Sequence, residues 1–82
     1  MSSKMIKISA TKAFKIDPII IGEDQYMISI RQMYCTKKDP EWKPARQGIT
    51  LPVDYAERIA KIVRNMAVSE DTEFLEISHK ED

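Results

Sequence analysis

The sequence predicts an α+β fold, a four-stranded antiparallel curved sheet followed by one C-terminal helix in the order β-β-β-β-α. Three observations carry this reading. Clusters of β-branched and alternating residues, separated by turn signals, occupy the chain up to Leu51. From Val53 the apolar spacing changes to the i, i+3, i+4, i+7 pattern of an amphipathic helix. Nowhere do strand and helix patterns alternate as a parallel βαβ arrangement requires.

Met5, Ile6 and Ile8 open the first β-rich segment, which runs to about Ile16 through Thr11, Ala13 and Phe14. Asp17-Pro18 is expected to break it, because proline lacks an N–H and restricts the residue before it. Ile19-Ile20-Ile21 follows, and Gly22-Glu23-Asp24-Gln25 reads as a hairpin turn. From Tyr26 to Tyr34, alternation puts Tyr26, Ile28, Ile30 and Gln32 on one face, the pattern of a half-buried strand. Cys35 to Gln47 reads as a loop, Gly48 to Leu51 as a short strand, and Pro52 as its end.

In the helix, Ala56, Ile59, Ala60, Val63, Met66 and Ala67 form the apolar stripe. Pro52 suits the start, and the negative charge of Asp54 suits the first turn. Glu57 and Lys61 form an i,i+4 pair in the favourable order. Tyr55 and Ile62 widen the stripe. A wide stripe fits either a helix–helix dimer contact or a broad core face.

At 82 residues the chain is one small domain. A chain of this length buries about 60–65% of its unfolded surface, so its own core is marginal. The single Cys35 excludes a disulfide within the chain, which leaves dimerisation as a route to stability. The lone cysteine also fits a reducing, intracellular setting. The first twelve residues lack the apolar run of a secretion signal, and no window approaches a membrane span. The expectation is a soluble intracellular protein, nuclear in a eukaryote and cytoplasmic in a bacterium or phage.

Thirteen basic and 13 acidic residues cancel, which argues against a globally basic nucleic-acid binder. Their distribution is uneven. Met1 to Met66 holds 12 basic and 7 acidic residues, a net of +5, whereas Ala67 to Asp82 has a net of −5. This divides the chain into a body, 1–68, and an acidic tail, 69–82, in which Phe74, Leu75 and Ile77 are embedded. The tail has alternative readings: it competes with nucleic acid for a basic surface, recruits a partner protein, or serves as a solubilising tail whose apolar residues cover a dimer edge.

No constellation for catalysis or metal binding is evident, and no enzyme, cofactor or metal is expected. His79 is the single histidine and lies in the acidic tail, so a thiolate–imidazole zinc site lacks ligands. Two glycines cannot build a phosphate-cradling glycine loop. Cys35, beside Lys37 and Lys38, reads either as a reactive thiol or as an ordinary small residue at a strand end.

Arg31 to Gly48 stands apart. It combines Arg31, Lys37, Lys38, Lys43 and Arg46, against Asp39 and Glu41, with Tyr34 and Trp42. Cations hold phosphates, and exposed rings stack unpaired bases at ~1–3 kcal/mol per base, so this composition suits single-stranded nucleic acid. The alternative is that both rings are part of a core and Lys37-Lys38 is a solvated turn.

Two strings in this region, Ile28-Ser29-Ile30-Arg31-Gln32-Met33-Tyr34 and Glu41-Trp42-Lys43-Pro44-Ala45-Arg46-Gln47-Gly48-Ile49-Thr50-Leu51, precede an amphipathic helix. Together they resemble the PC4-like (positive cofactor 4) transcriptional coactivator family over about Tyr26 to Met66. The resemblance implies a homodimer whose helices pack across the two-fold, here through Tyr55, Ile59, Ile62, Val63 and Met66. It also implies single-stranded DNA or melted duplex, with RNA as an alternative, bound on the sheet in transcription regulation, replication or repair. Arg31, Tyr34, Lys43 and Arg46 match positions of the family's binding surface, with Pro44 and Gly48 structural. Lys37, Lys38 and Trp42 join that surface, and Lys12 and Lys15 are further candidates. Two departures stand out: Gln47 replaces a basic residue, and the 22–25 turn is acidic where the family carries a basic, aromatic hairpin. These departures leave room for a protein-interaction module of the same fold that has lost strong nucleic-acid binding.

Overall fold

Strands β1 (Lys4–Lys7), β2 (Lys12–Ile21), β3 (Gln25–Tyr34) and β4 (Lys43–Pro52) precede the helix α1 (Val53–Val68) in a computed structural model that describes residues 3–77. The strands form an open antiparallel sheet in the order β1-β2-β3-β4, so each pairs with its sequence neighbour. The expected fold class is the one observed.

The β2–β3 turn is Gly22-Glu23-Asp24, closed by Ile21 opposite Gln25. Gly22 has φ +68°, a left-handed conformation that a side chain disfavours, which is why glycine stands there.

Asp17-Pro18 does not break the strand; β2 runs through it, with Pro18 opposite Ile28. The phase of the ladder explains why. Cys35 N–H donates to Thr11 O at 3.0 Å, and Ile8 N–H donates to Lys12 O at 2.9 Å. Antiparallel ladders alternate, so even-numbered residues of β2 turn their backbone groups away from β3 and toward β1. β1 pairs with Ala13 to Ile16 and ends there. The missing N–H of Pro18 therefore falls on an unpaired edge, where proline is tolerated.

The same phase accommodates two more prolines. Met33 and Met27 bond across to β2, so Pro44 and Pro52, opposite them on β4, face the outer edge of the sheet. This lets β4 begin at Lys43, earlier than Gly48, and shortens the expected loop to 35–42.

Between Arg31–Gly48 and Met33–Pro44 the register shifts. Gln32 alone on β3 faces Ala45, Arg46 and Gln47 on β4, a bulge of three residues against one that leaves all three, Arg46 among them, out of the paired register.

Helix α1 starts directly after Pro52 and ends at Ser69, whose N–H donates to Asn65 O at 3.1 Å. Lys61 and Glu57 pair at 3.2 Å, as their spacing predicts. The helix buries no residue, and Ile62, Val63 and Met66 are each more than half exposed. Among the described residues Ala13 is the one buried hydrophobic, at 0% exposure. The radius of gyration is 15.6 Å, against about 12 Å for a compact domain of this length. A single chain therefore leaves its helix stripe and much of its sheet without an apolar partner. No helix among the described residues is long and apolar enough to cross a membrane.

Candidate nucleic-acid interface

Strand pairing sorts the candidate side chains onto two faces, because residues opposite one another in a sheet share a face. Lys12 lies opposite Tyr34, and Tyr34 opposite Lys43. Three strands thus contribute one rung, an aromatic ring between two lysines, at the end of the sheet next to the β3–β4 loop. Tyr34 is 44% exposed, enough of its ring for a flat ligand to cover.

Asp39 organises that loop. Thr36 N–H donates to Asp39 O at 3.0 Å, and Asp39 N–H donates to the Thr36 hydroxyl at 2.9 Å. The Asp39 carboxylate accepts from Glu41 N–H at 3.3 Å and meets Lys43 Nζ at 2.6 Å. Lys37 and Lys38 are exposed at the bend this produces, while Trp42 is half-buried just before β4. In the sequence Asp39 stands out only as a charge in a loop; the clues to its structural task are Thr36 three residues before it and Lys43 four after.

Lys15 and Arg31 are opposite each other on the other face of the sheet. Lys15 Nζ lies 4.0 Å from Asp17, and the Ser3 hydroxyl donates to the same Asp17 side chain. Arg31 has an internal task. Its Nη1 donates to Ala45 O at 3.3 Å, and its guanidinium passes so close to Gly48 that a β-carbon there would come within 3.2 Å of Cζ. Arg31 braces the bulge that carries the exposed Arg46. Lys12, Tyr34 and Lys43 are therefore brought together with the 37–38 bend beside them, whereas Lys15 and Arg31 are on the reverse side.

The acidic 22–24 turn is at the opposite end of β2 and β3 from the Lys12–Tyr34 rung. Ten-residue strands separate the two by about 30 Å, and charges that far apart are screened at physiological salt, where the Debye length is ~8 Å. The acidity of that turn does not reach the rung.

Phe14, Ile30 and Ile49 of the rung's face, together with Gln32, Gln47 and the backbone at Gly48, line a shallow cavity of about 170 Å³. Tyr55, Ile59, Ile62, Val63 and Met66, the residues expected at a dimer contact, are all exposed on α1. Past the helix, Asp71 N–H donates to the Ser69 hydroxyl at 3.2 Å, and the Thr72 hydroxyl donates to Met66 O at 2.7 Å. Phe74, Leu75 and Ile77 beyond them are bare, at 81%, 90% and 69% exposure. His79 and the rest of the tail from residue 78 lie outside the described residues. Compared with family models, curated proteins and solved structures, the chain gives no match.

Proposed function

We propose that this chain is a non-catalytic single-stranded DNA-binding protein of the PC4-like kind, acting as a homodimer in transcription regulation or in replication and repair. The observation that carries the reading is the Lys12–Tyr34–Lys43 rung, two ammonium groups flanking an exposed ring on one face of the sheet. The ammonium groups neutralise phosphates and release their counterions, and the ring stacks an unpaired base. Lys37, Lys38 and Arg46 extend the cationic surface next to it.

Support for the dimer comes from the unpartnered helix. A stripe of Ile59, Ile62, Val63 and Met66 exposed on an amphipathic helix, in a chain with so little buried interior, calls for a second apolar surface. A two-fold pairing of helices supplies it and presents two rungs to nucleic acid.

The test is a titration of a labelled oligo-dT, with a matched duplex as control, at low and near-physiological salt. Trp42 fluorescence and strand anisotropy are read together. Binding that prefers the single strand and weakens with salt is the expected result. Absence of binding at low salt would overturn it and favour the second reading, a protein-interaction module. That alternative draws on the internal use of Arg31 and the pairing of Lys43 with Asp39.

A further inference from the structure

The surface that carries the rung is more than basic. Its floor is the shallow cavity among Phe14, Ile30 and Ile49, and Lys12 and Lys43 stand on the same face. A strand of nucleic acid matches such a surface by alternating flat apolar bases with anionic phosphates. One segment of this chain has the same make-up. Glu73-Phe74-Leu75-Glu76-Ile77 interleaves two carboxylates with three apolar side chains, and Glu70 and Asp71 precede it with no basic residue between Ser69 and Ile77. Its apolar members are among the most exposed side chains of the molecule.

We infer that the segment Glu73–Ile77 is a built-in competitor that docks on the Tyr34 face and occupies it in place of a single strand. The inference rests on the nucleic-acid reading above and names the regulation of that same surface. Charge complementarity selects this occupant: a tail with four carboxylates and no cation up to Ile77 follows a body of net charge +5. Apolar complementarity selects the location. Phe74 and Leu75 fit the Phe14–Ile30–Ile49 floor, and Glu73 and Glu76 reach the flanking lysines. The Thr72–Met66 bond fixes where the segment leaves the helix.

The consequence is a threshold on binding. Nucleic acid must displace the segment, so weak or short strands are rejected and longer strands, which engage more phosphates, are accepted.

Three full-length variants test this against the wild type by anisotropy of a labelled oligo-dT at low salt. The first, Glu73→Gln with Glu76→Gln, removes two tail charges. It is expected to bind about fourfold tighter, a factor of about two for each exposed ion pair that the competitor can no longer form. The second, Phe74→Ala, changes no charge and removes a side chain that is 81% exposed, so the fold is kept; it too is expected to bind tighter. The control, Glu23→Gln with Asp24→Asn, makes the same net charge change about 30 Å from Tyr34 and is expected to match the wild type. Wild-type-like binding by both tail variants overturns the competitor and leaves the single-strand reading intact. So does a control that tightens as much as the tail double variant. Failure of every protein to bind overturns both.

Discussion

The guanidinium of Arg31 and the bare α-carbon of Gly48 are in contact across strands β3 and β4. A β-carbon on Gly48 would lie 3.2 Å from Arg31 Cζ and 3.3 Å from Ile30 O. Gly48 has no left-handed backbone, so the close approach, rather than conformational freedom, is what requires glycine there. The pair holds the bulge in place. Arg31→Ala is expected to lower stability by ~1 kcal/mol by removing the bond to Ala45 O, and Gly48→Ala by ~1 kcal/mol through crowding. Because Arg31→Ala removes the guanidinium that a β-carbon at position 48 would crowd, the double variant should be destabilised by less than the sum. Urea unfolding of the four proteins checks this, and strict additivity would show that the pair does not act as a unit.

Lys12 and Tyr34 should fail in different ways. Lys12→Ala is expected to flatten the dependence of log affinity on log salt by ~0.7, the share of one phosphate contact on a single strand. Tyr34→Ala should cost ~1–3 kcal/mol in affinity with the salt slope unchanged, and Tyr34→Phe should keep most of it. Oligo-dT titrations at four salt concentrations separate the two effects. Equal slope changes in both variants would rule out stacking as the role of Tyr34.

Asp39 holds the β3–β4 loop and also occupies Lys43. Asp39→Asn keeps an oxygen for the Glu41 N–H and removes the charge that holds Lys43 Nζ at 2.6 Å. Single-strand affinity should rise about twofold to threefold, within the range of one exposed ion pair. Asp39→Ala, which also removes the acceptor of the Glu41 N–H, should loosen the loop and forfeit that gain. Anisotropy titration distinguishes the two, and weaker binding by Asp39→Asn would contradict the freeing of Lys43.

The helix stripe gives a prediction about assembly. Sedimentation of the wild type at micromolar concentration should report a dimer. Ile62→Glu and Val63→Glu, each placing a charge where an apolar partner is expected, should report monomers. Their thermal unfolding should also begin at lower temperature, because the single chain has so little buried interior. A monomeric wild type would remove the two-fold pairing of helices.

Much of the fold is legible in the chain. The change of period at Val53 marks the helix start to the residue, and Gly22 marks the hairpin. Two prolines mislead. Asp17-Pro18 reads as a break and Lys43-Pro44 as part of a loop, yet both lie inside strands, because whether a proline breaks a strand depends on which edge its nitrogen faces. That orientation follows from the pairing phase, which the Thr11–Cys35 and Ile8–Lys12 bonds set and which no local pattern displays.

The candidate site divides along the same line. The cationic and aromatic residue types, their concentration between Arg31 and Gly48, and the contrast between a basic body and an acidic tail were determined by the sequence alone. The tertiary structure decided which of them act together. Register places Lys12, Tyr34 and Lys43 in one rung and turns Lys15 and Arg31 to the reverse face, where Arg31 is engaged with Gly48 and Ala45. The physical reason is the two-residue period of a strand. Alternation along one strand is written in its own residues, but the partner across the sheet depends on hydrogen bonds between segments distant in the chain.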